Sequence, residues 1–187
     1  MNNNDKLLPD SPVPGLIPTL NKTGWMTESL DPYSADFAAY AGTLDTEVLD
    51  IGCAYGVATL TALEAGARVC ACDMEPAHLD ILDQRVPAQY RDRDRYRSLQ
   101  GLLPDTDFPP GSFGGILASR VLHFLSGPDI ETAVAKMHAW LAPGGRLYLV
   151  ADTPYTGPWY IHAERYEERK AAGDPWPGFV DDYAALL

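Results

Sequence analysis

Between Asp31 and Asp152 the chain alternates short apolar runs with longer stretches whose apolar residues recur at helical spacing. Val48-Leu49-Asp50-Ile51 is the first apolar run and reads as a strand. A turn bearing Gly52 and Gly56 follows it, then a helix over Val57–Ala65 that Gly66 closes. Residues 68–72 form a second strand, and Pro76 opens a helix carrying Leu79, Ile81, Leu82 and Val86. Tyr96–Gln100 reads as a weaker third strand; residues 113–118 read as a fourth, weakened by Gly114 and Gly115. Val134, Met137, Trp140 and Leu141 line one side of a helix over residues 130–141. Pro143-Gly144-Gly145 then turns the chain into a fifth strand, residues 146–151. Ahead of all these, Asp31-Pro32 has the cap-then-proline form of a helix start, and Tyr33, Phe37 and Tyr40 recur helically up to Gly42.

Apolar strands that alternate with helices predict an α/β fold: a Rossmann-like, doubly wound, mostly parallel sheet with helices on both faces. Three regions follow from the pattern. Residues 1–30, rich in Pro, Asn, Thr and Gly, read as an extended N-terminal arm outside the core. There Trp25 and Met26, with Tyr33 just beyond, either close over a ligand as a lid or serve as packing residues. Residues 31–155 form the core. Residues 156–187 form a helical and irregular tail, with four prolines between 154 and 177 on either side of a charged helix over about 159–172.

Composition narrows the function. A length of 187 residues suits one domain. The net charge of −12 repels phosphate backbones and anionic headgroups, so neither nucleic acid nor membrane is an expected partner. The basic run 91–97 interleaves its arginines with Asp92 and Asp94 and reads as a solvated connector. Three cysteines give no disulfide framework; Cys70 and Cys72 share one face of a strand and are expected to pack, with no metal site. The first residues lack the basic-then-apolar form of a signal peptide, and no stretch approaches the ~18 apolar residues of a membrane span. A cytoplasmic protein is the expectation.

In an open parallel sheet, ligands bind beyond the carboxyl ends of the strands. Gly52 and Gly56 lie there after the first strand, where glycine permits a tight turn and close approach of backbone to ligand. Asp73 ends the second strand, and its spacing from Gly52 matches the about 20 residues expected of an acid that accepts from both hydroxyls of a ribose. A dinucleotide fingerprint placed on Gly52 meets Ala54 and Val57 where it needs glycines, which disfavours a nicotinamide enzyme. Asp50, two residues before Gly52, suits a cationic amino-acid group better than a pyrophosphate. The pattern therefore favours a ligand with adenosine at one end and an amino acid at the other.

These residues resemble a known family. VLDIGCAYG at residues 48–56 looks like the first motif of class I S-adenosylmethionine-dependent methyltransferases, with Ala54 in place of the usual middle glycine. CDMEP at residues 72–76 resembles their second motif, and LAPGGRLYLV at Leu141–Val150 is similar to the turn and strand after their fourth helix. The resemblance implies S-adenosyl-L-methionine as cofactor. It implies contacts from Asp50, Gly52, Cys53, Ala54 and Gly56, with Asp73 on the ribose and Met74 on the adenine; Leu102, Leu103 and Ser119 complete the expected set. Three departures stand out: Leu102 and Leu103 fall where an acid often sits, Gly114 replaces the Asp that often follows Phe113, and the two last strands of the family sheet are missing from the pattern up to Leu187. The chain is thus expected to be a fragment or minimal version, or to replace those strands with its tail.

The implied activity is methyl transfer to an acceptor, expected to be a small molecule because the fourth strand lacks an Asn/Asp-Pro-Pro-Tyr-type motif. A non-catalytic cofactor-binding domain or regulatory subunit is the alternative. Orientation alone can drive such a transfer. Where a base is needed, His123 and Asp152 follow the fourth and fifth strands and are the candidates, though each also reads as an ordinary packing or turn residue. His78, His138 and His162 are expected on helices away from this edge.

Overall fold

The computed structural model describes residues 7–91, 94–155 and 157–179. Residues 1–6 of the arm, Asp92 and Arg93 of the basic connector, Thr156, and residues 180–187 of the tail lie outside the described residues. In chain order the elements are β1 (Leu16–Pro18), β2 (Trp25–Thr27), α1 (Pro32–Ala41), β3 (Glu47–Ile51), α2 (Val57–Ala65), β4 (Arg68–Asp73), α3 (Pro76–Arg85), α4 (Ala88–Arg91), β5 (Tyr96–Gln100), β6 (Phe113–Ser119), α5 (Gly127–Trp140), β7 (Leu141–Val150) and α6 (Ala163–Ala171).

The five core strands run in the order β5-β4-β3-β6-β7. Every neighbouring pair is parallel. The chain winds outward from β3 to β5, then crosses back to β6 and β7, so the reversal falls between β3 and β6. All five carboxyl ends share one edge, and that edge is where ligands enter such sheets.

Period-two alternation decides which layer each strand residue joins. Val48, Val69, Ala71 and Leu117 pack with Phe37 of α1, Leu63 of α2 and Leu82 of α3 on one face. Their sequence neighbours Leu49, Ile51, Cys70, Cys72 and Ile116 pack with Met137 and Trp140 of α5 on the other. Cys70 and Cys72 share a face as expected; both are buried free thiols, pushed up to about 12 by burial. In the connector, Arg95 donates to the carbonyl of Ala67 at 3.0 Å and Arg97 to Glu47 at 2.8 Å, so both guanidiniums hold the chain to itself.

The structure departs from the sequence pattern in four places. The arm is not simply extended: β1 and β2 form an antiparallel hairpin, and Ile17 is buried. The strands have three residues each, too few to show alternation, and Thr19 closes their loop by bonding Gly24 at both its N–H and its carbonyl. Helix α5 begins three residues early because Ser126 caps it, accepting from the Asp129 N–H at 3.3 Å. Strand β7 begins at Leu141, opposite Phe113, and its register then jumps so that Arg146 lies opposite Gly115. Pro143-Gly144-Gly145 is therefore a bulge within the strand rather than a turn before it. The tail helix forms as a 3-10 turn (Gly157–His162) followed by α6.

One polar residue sits in the middle strand. Asp50 is buried, and the Thr59 hydroxyl, also buried, donates to its Oδ2 at 2.6 Å, which bolts α2 to β3. Burial pushes the Asp50 carboxyl up from 3.8 to about 6; the bond from Thr59 opposes the shift and the charge of Asp73 adds to it. The folded chain therefore binds more protons than the unfolded chain between about pH 4 and 6, and stability falls as pH rises through that window. This group should cost about 2–3 kcal/mol across it. Asp50→Asn keeps an acceptor for Thr59 and should flatten that part of the profile. Urea midpoints of both proteins across the window check this; parallel profiles would assign the slope to other groups.

Candidate active site

The turn after β3 wraps over the tip of β4. The N–H groups of Gly52 and Cys53 both donate to the Cys72 carbonyl, at 2.8 and 3.1 Å. This path demands left-handed backbone at Gly52 (φ 75°) and Gly56 (φ 79°). It also leaves no room for side chains: a Cβ on Gly52 would lie 2.3 Å from Val121 Cγ2, and one on Gly56 would lie 2.2 Å from Leu82 Cδ1. Ala54, which stands where the family motif prefers glycine, also adopts positive φ, 45°. In that pose its N–H donates to Asp73 Oδ2 at 2.8 Å.

Asp73 is buried at the tip of β4 and joins three elements. Besides Ala54, it receives the Glu75 N–H at 2.9 Å and faces His78 Nδ1 at 3.1 Å, both on Oδ1. His78 Nε2 accepts the Leu20 N–H at 3.1 Å, so Nδ1 carries the proton and donates to Asp73. A carboxylate offers about four acceptor positions, and three are filled by the chain, so one remains, on Oδ2. Asp73 as placed can accept from one ribose hydroxyl rather than from both, as the sequence suggested.

His78 is thus not remote from the site. Pro76 opens α3 with Glu75 as its cap, which puts residue 78 in the first turn, beside the strand tips. That signal was present in the sequence. Tyr55 was also missed: it is fully buried, its hydroxyl donates to the Pro18 carbonyl at 2.8 Å, and its ring stands edge-on to His78 at 4.9 Å. Leu20 and Pro18 belong to the arm hairpin and its loop, so the arm is anchored directly behind Asp73.

Other expected contacts separate into two groups. Met74 and Leu102 expose their side chains at the carboxyl edge, beside Asp73 and beyond β5. Ser119 ends β6 at the same edge. Leu103, by contrast, is buried in the core with Phe108 and Trp140, and Cys53 is buried against α2 and α3; each can offer a ligand only its backbone. Asp50 lies beneath the turn, bonded to Thr59, rather than open beside it. Trp25 and Tyr33 are exposed and Met26 is half-buried.

The second candidate region lies beyond β6 and β7. Arg120 has left-handed backbone (φ 56°), donates its N–H to the Val150 carbonyl at 2.7 Å, and reaches both Asp31 at 3.3 Å and Asp152 at 3.5 Å. Asp152 is therefore ion-paired, which suits a structural role better than that of a base. His123 stands on a 3-10 turn (Leu122–Phe124), with its ring 4.2 Å from Phe124. Burial lowers its pKa, with Arg120 acting the same way and Asp152 opposing. The shift favours the neutral imidazole, the form able to accept a proton. His123 and Asp152 line one solvent-open cleft together with Trp159, His162, Arg165 and Tyr166. His162 is therefore at this edge, contrary to expectation, whereas His138 is exposed on α5. Among the described residues no group of three His, Cys, Asp or Glu is placed to hold a metal, and no helix is long and apolar enough to cross a membrane.

Comparison with known proteins agrees with this geometry. Residues 48–145 match the model of the methyltransferase domain. A ubiquinone biosynthesis O-methyltransferase of Xanthomonas campestris pv. campestris is 30% identical over 127 residues, covering 65% of this chain and 49% of that protein. Among solved structures, the 1,6-didemethyltoxoflavin-N1-methyltransferase of Burkholderia thailandensis, with 1,6-didemethyltoxoflavin and S-adenosylhomocysteine bound, is 33% identical with a TM-score of 0.52, covering 63% of this chain and 49% of that one. The glycopeptide N-methyltransferase MtfA complexed with S-adenosylmethionine is 26% identical with a TM-score of 0.50, covering 62% and 51%. The chain spans about half the length of the curated relatives it matches. With a parallel sheet wound outward from β3 and back, and a family match that runs from β3 to the bulge of β7, the chain belongs to the class I S-adenosylmethionine-dependent methyltransferase family.

Proposed function

We propose that this chain binds S-adenosylmethionine at the tips of β3 and β4 and transfers its methyl group to a small-molecule acceptor held beyond β6 and β7. One observation carries the reading: the glycine turn is locked onto Asp73, so that bare backbone and a carboxylate with one open acceptor position stand side by side. The residues fit the cofactor. Gly52 and Gly56 let the turn press flush against Val121 and Leu82, Asp73 Oδ2 can take a ribose hydroxyl, and the exposed thioether of Met74 suits an adenine face. Asp50 contributes negative charge from beneath the turn rather than a direct contact.

When bound, the cofactor supplies a methyl group on a sulfonium that leaves as a neutral thioether. The protein's part is orientation, worth about 7–11 kcal/mol when nucleophile and methyl are held in line. For a hydroxyl acceptor, the imidazole of His123 would take up the hydroxyl proton, a role that its lowered pKa suits. Such a base adds about 10²–10⁴-fold. The arm hairpin serves as a cover anchored on His78 and Tyr55.

Calorimetric titration with S-adenosylhomocysteine and with NAD tests the reading: the first should bind and the second should not, and the reverse result would end it. Binding with no transfer across a broad acceptor panel would make the chain a cofactor-binding module instead. Asp73→Ala should weaken S-adenosylhomocysteine binding by more than about tenfold, or about 1.4 kcal/mol. A urea midpoint measured alongside separates this from unfolding, and unchanged affinity in a folded variant would take Asp73 off the ribose. His78→Phe keeps a ring against Tyr55 but removes the bond to Leu20, worth about 1 kcal/mol. Trypsin should then cut after Lys22 in the hairpin loop about fivefold faster. Equal cleavage rates, read by mass spectrometry, would show that His78 does not hold the arm.

A further inference from the structure

The cleft that His123 and Asp152 line carries, on Arg165, a guanidinium that no described residue matches. The chain as a whole carries −12, from 26 acidic and 14 basic residues. The cleft is lined by the guanidiniums of Arg165 and Arg169, the imidazoles of His123 and His162, and Asp152 as its carboxylate. That carboxylate is already matched by Arg120 at 3.5 Å. Arg169 is matched too: Asp174 lies at 2.6 Å, and its guanidinium also donates to the carbonyls of Trp176 and Phe179, so it pins the tail. Arg165, one helical turn earlier on α6, has no hydrogen bond or ion pair among the described residues. His162 Nε2 is buried and has no hydrogen-bond partner among them. The apolar part of the wall comes from the rings of Trp159 and Tyr166 with Pro154 and Pro177.

The cleft also adjoins the cofactor turn. Val121 lies against Gly52, where its Cγ2 would stand 2.3 Å from an added Cβ, and two residues later the same segment delivers His123 to the cleft. A molecule seated between Trp159 and Arg165 therefore shares the carboxyl edge with whatever occupies the turn.

We infer that the acceptor is an aromatic molecule carrying an anionic group, with its ring on Trp159 and Tyr166 and its anion on Arg165. This rests on the proposed cofactor site at β3 and β4. A planar guanidinium pairs with a carboxylate through two parallel hydrogen bonds, and an aromatic wall accepts the ring. An anion is also drawn to a neighbouring sulfonium, whereas an amine is repelled by both the sulfonium and Arg165. Arg165 thus offers an anion a local partner on a chain whose net charge would otherwise turn it away.

Three probes of one shape test this: 4-hydroxybenzoate, 4-hydroxybenzamide and tyramine, titrated against the full chain saturated with S-adenosylhomocysteine. Because Arg165 is exposed, the benzoate should bind about fivefold more tightly than the amide, with tyramine weakest. Arg165→Gln should bring benzoate and amide to equal affinity and leave S-adenosylhomocysteine affinity unchanged. Equal binding of benzoate and amide to the unaltered chain, preference for tyramine, or a benzoate preference that survives in the variant would overturn the inference. The same titrations on the protein without S-adenosylhomocysteine keep the two readings apart. Failure of the nucleoside to bind defeats the cofactor site, while the order of the three probes still decides the charge of the cleft.

Discussion

The Asp73 carboxylate is the joint on which the site is built. It receives N–H groups from the β3–α2 turn, from the start of α3 and from His78, and through His78 it reaches the arm. Each donor satisfies negative charge that burial would otherwise make costly. In return the carboxylate holds a left-handed alanine in place, a pose that costs an L residue about 1–2 kcal/mol. Turn, helix start and arm are thereby placed by one side chain at the end of one strand.

Beyond β6 the organising residue is Arg120. It joins the cap of α1 at Asp31 to the end of β7 at Asp152, and its own N–H meets Val150. The two ends of the edge thus differ in how their charges are held. Asp50 and Asp73 are buried at β3 and β4, whereas beyond β6 and β7 Arg120 and Arg169 stand paired with carboxylates beside the imidazoles of His123 and His162. A sheet whose winding reverses between β3 and β6 keeps these two environments adjacent without mixing them.

Much of this was legible in the sequence. Alternation placed Val48 and Leu49 on opposite faces, glycine marked a turn that only bare backbone can follow, and Asp73 stood at the right strand end. What escaped reading was contact between elements. Leu103 looked like an edge residue because it follows a strand, yet the chain there turns inward and buries it. His78 looked helical and remote, because spacing reports which helix face a residue occupies and not what that face meets. The hairpin strands have three residues each, too short a run to stand out from a loop in the sequence. His162 reaches the cleft only because the tail folds back, and no periodicity in the tail announces that.

The anchoring of the hairpin has a consequence for assembly. Leu20 bonds a partner 58 positions further along the chain, and Pro18 one 37 positions along. Both hairpin strands precede their docking residues in the chain, and a pair of strands this short has little stability alone. The segment translated ahead of its supports therefore gains its second anchor only once α3 has formed.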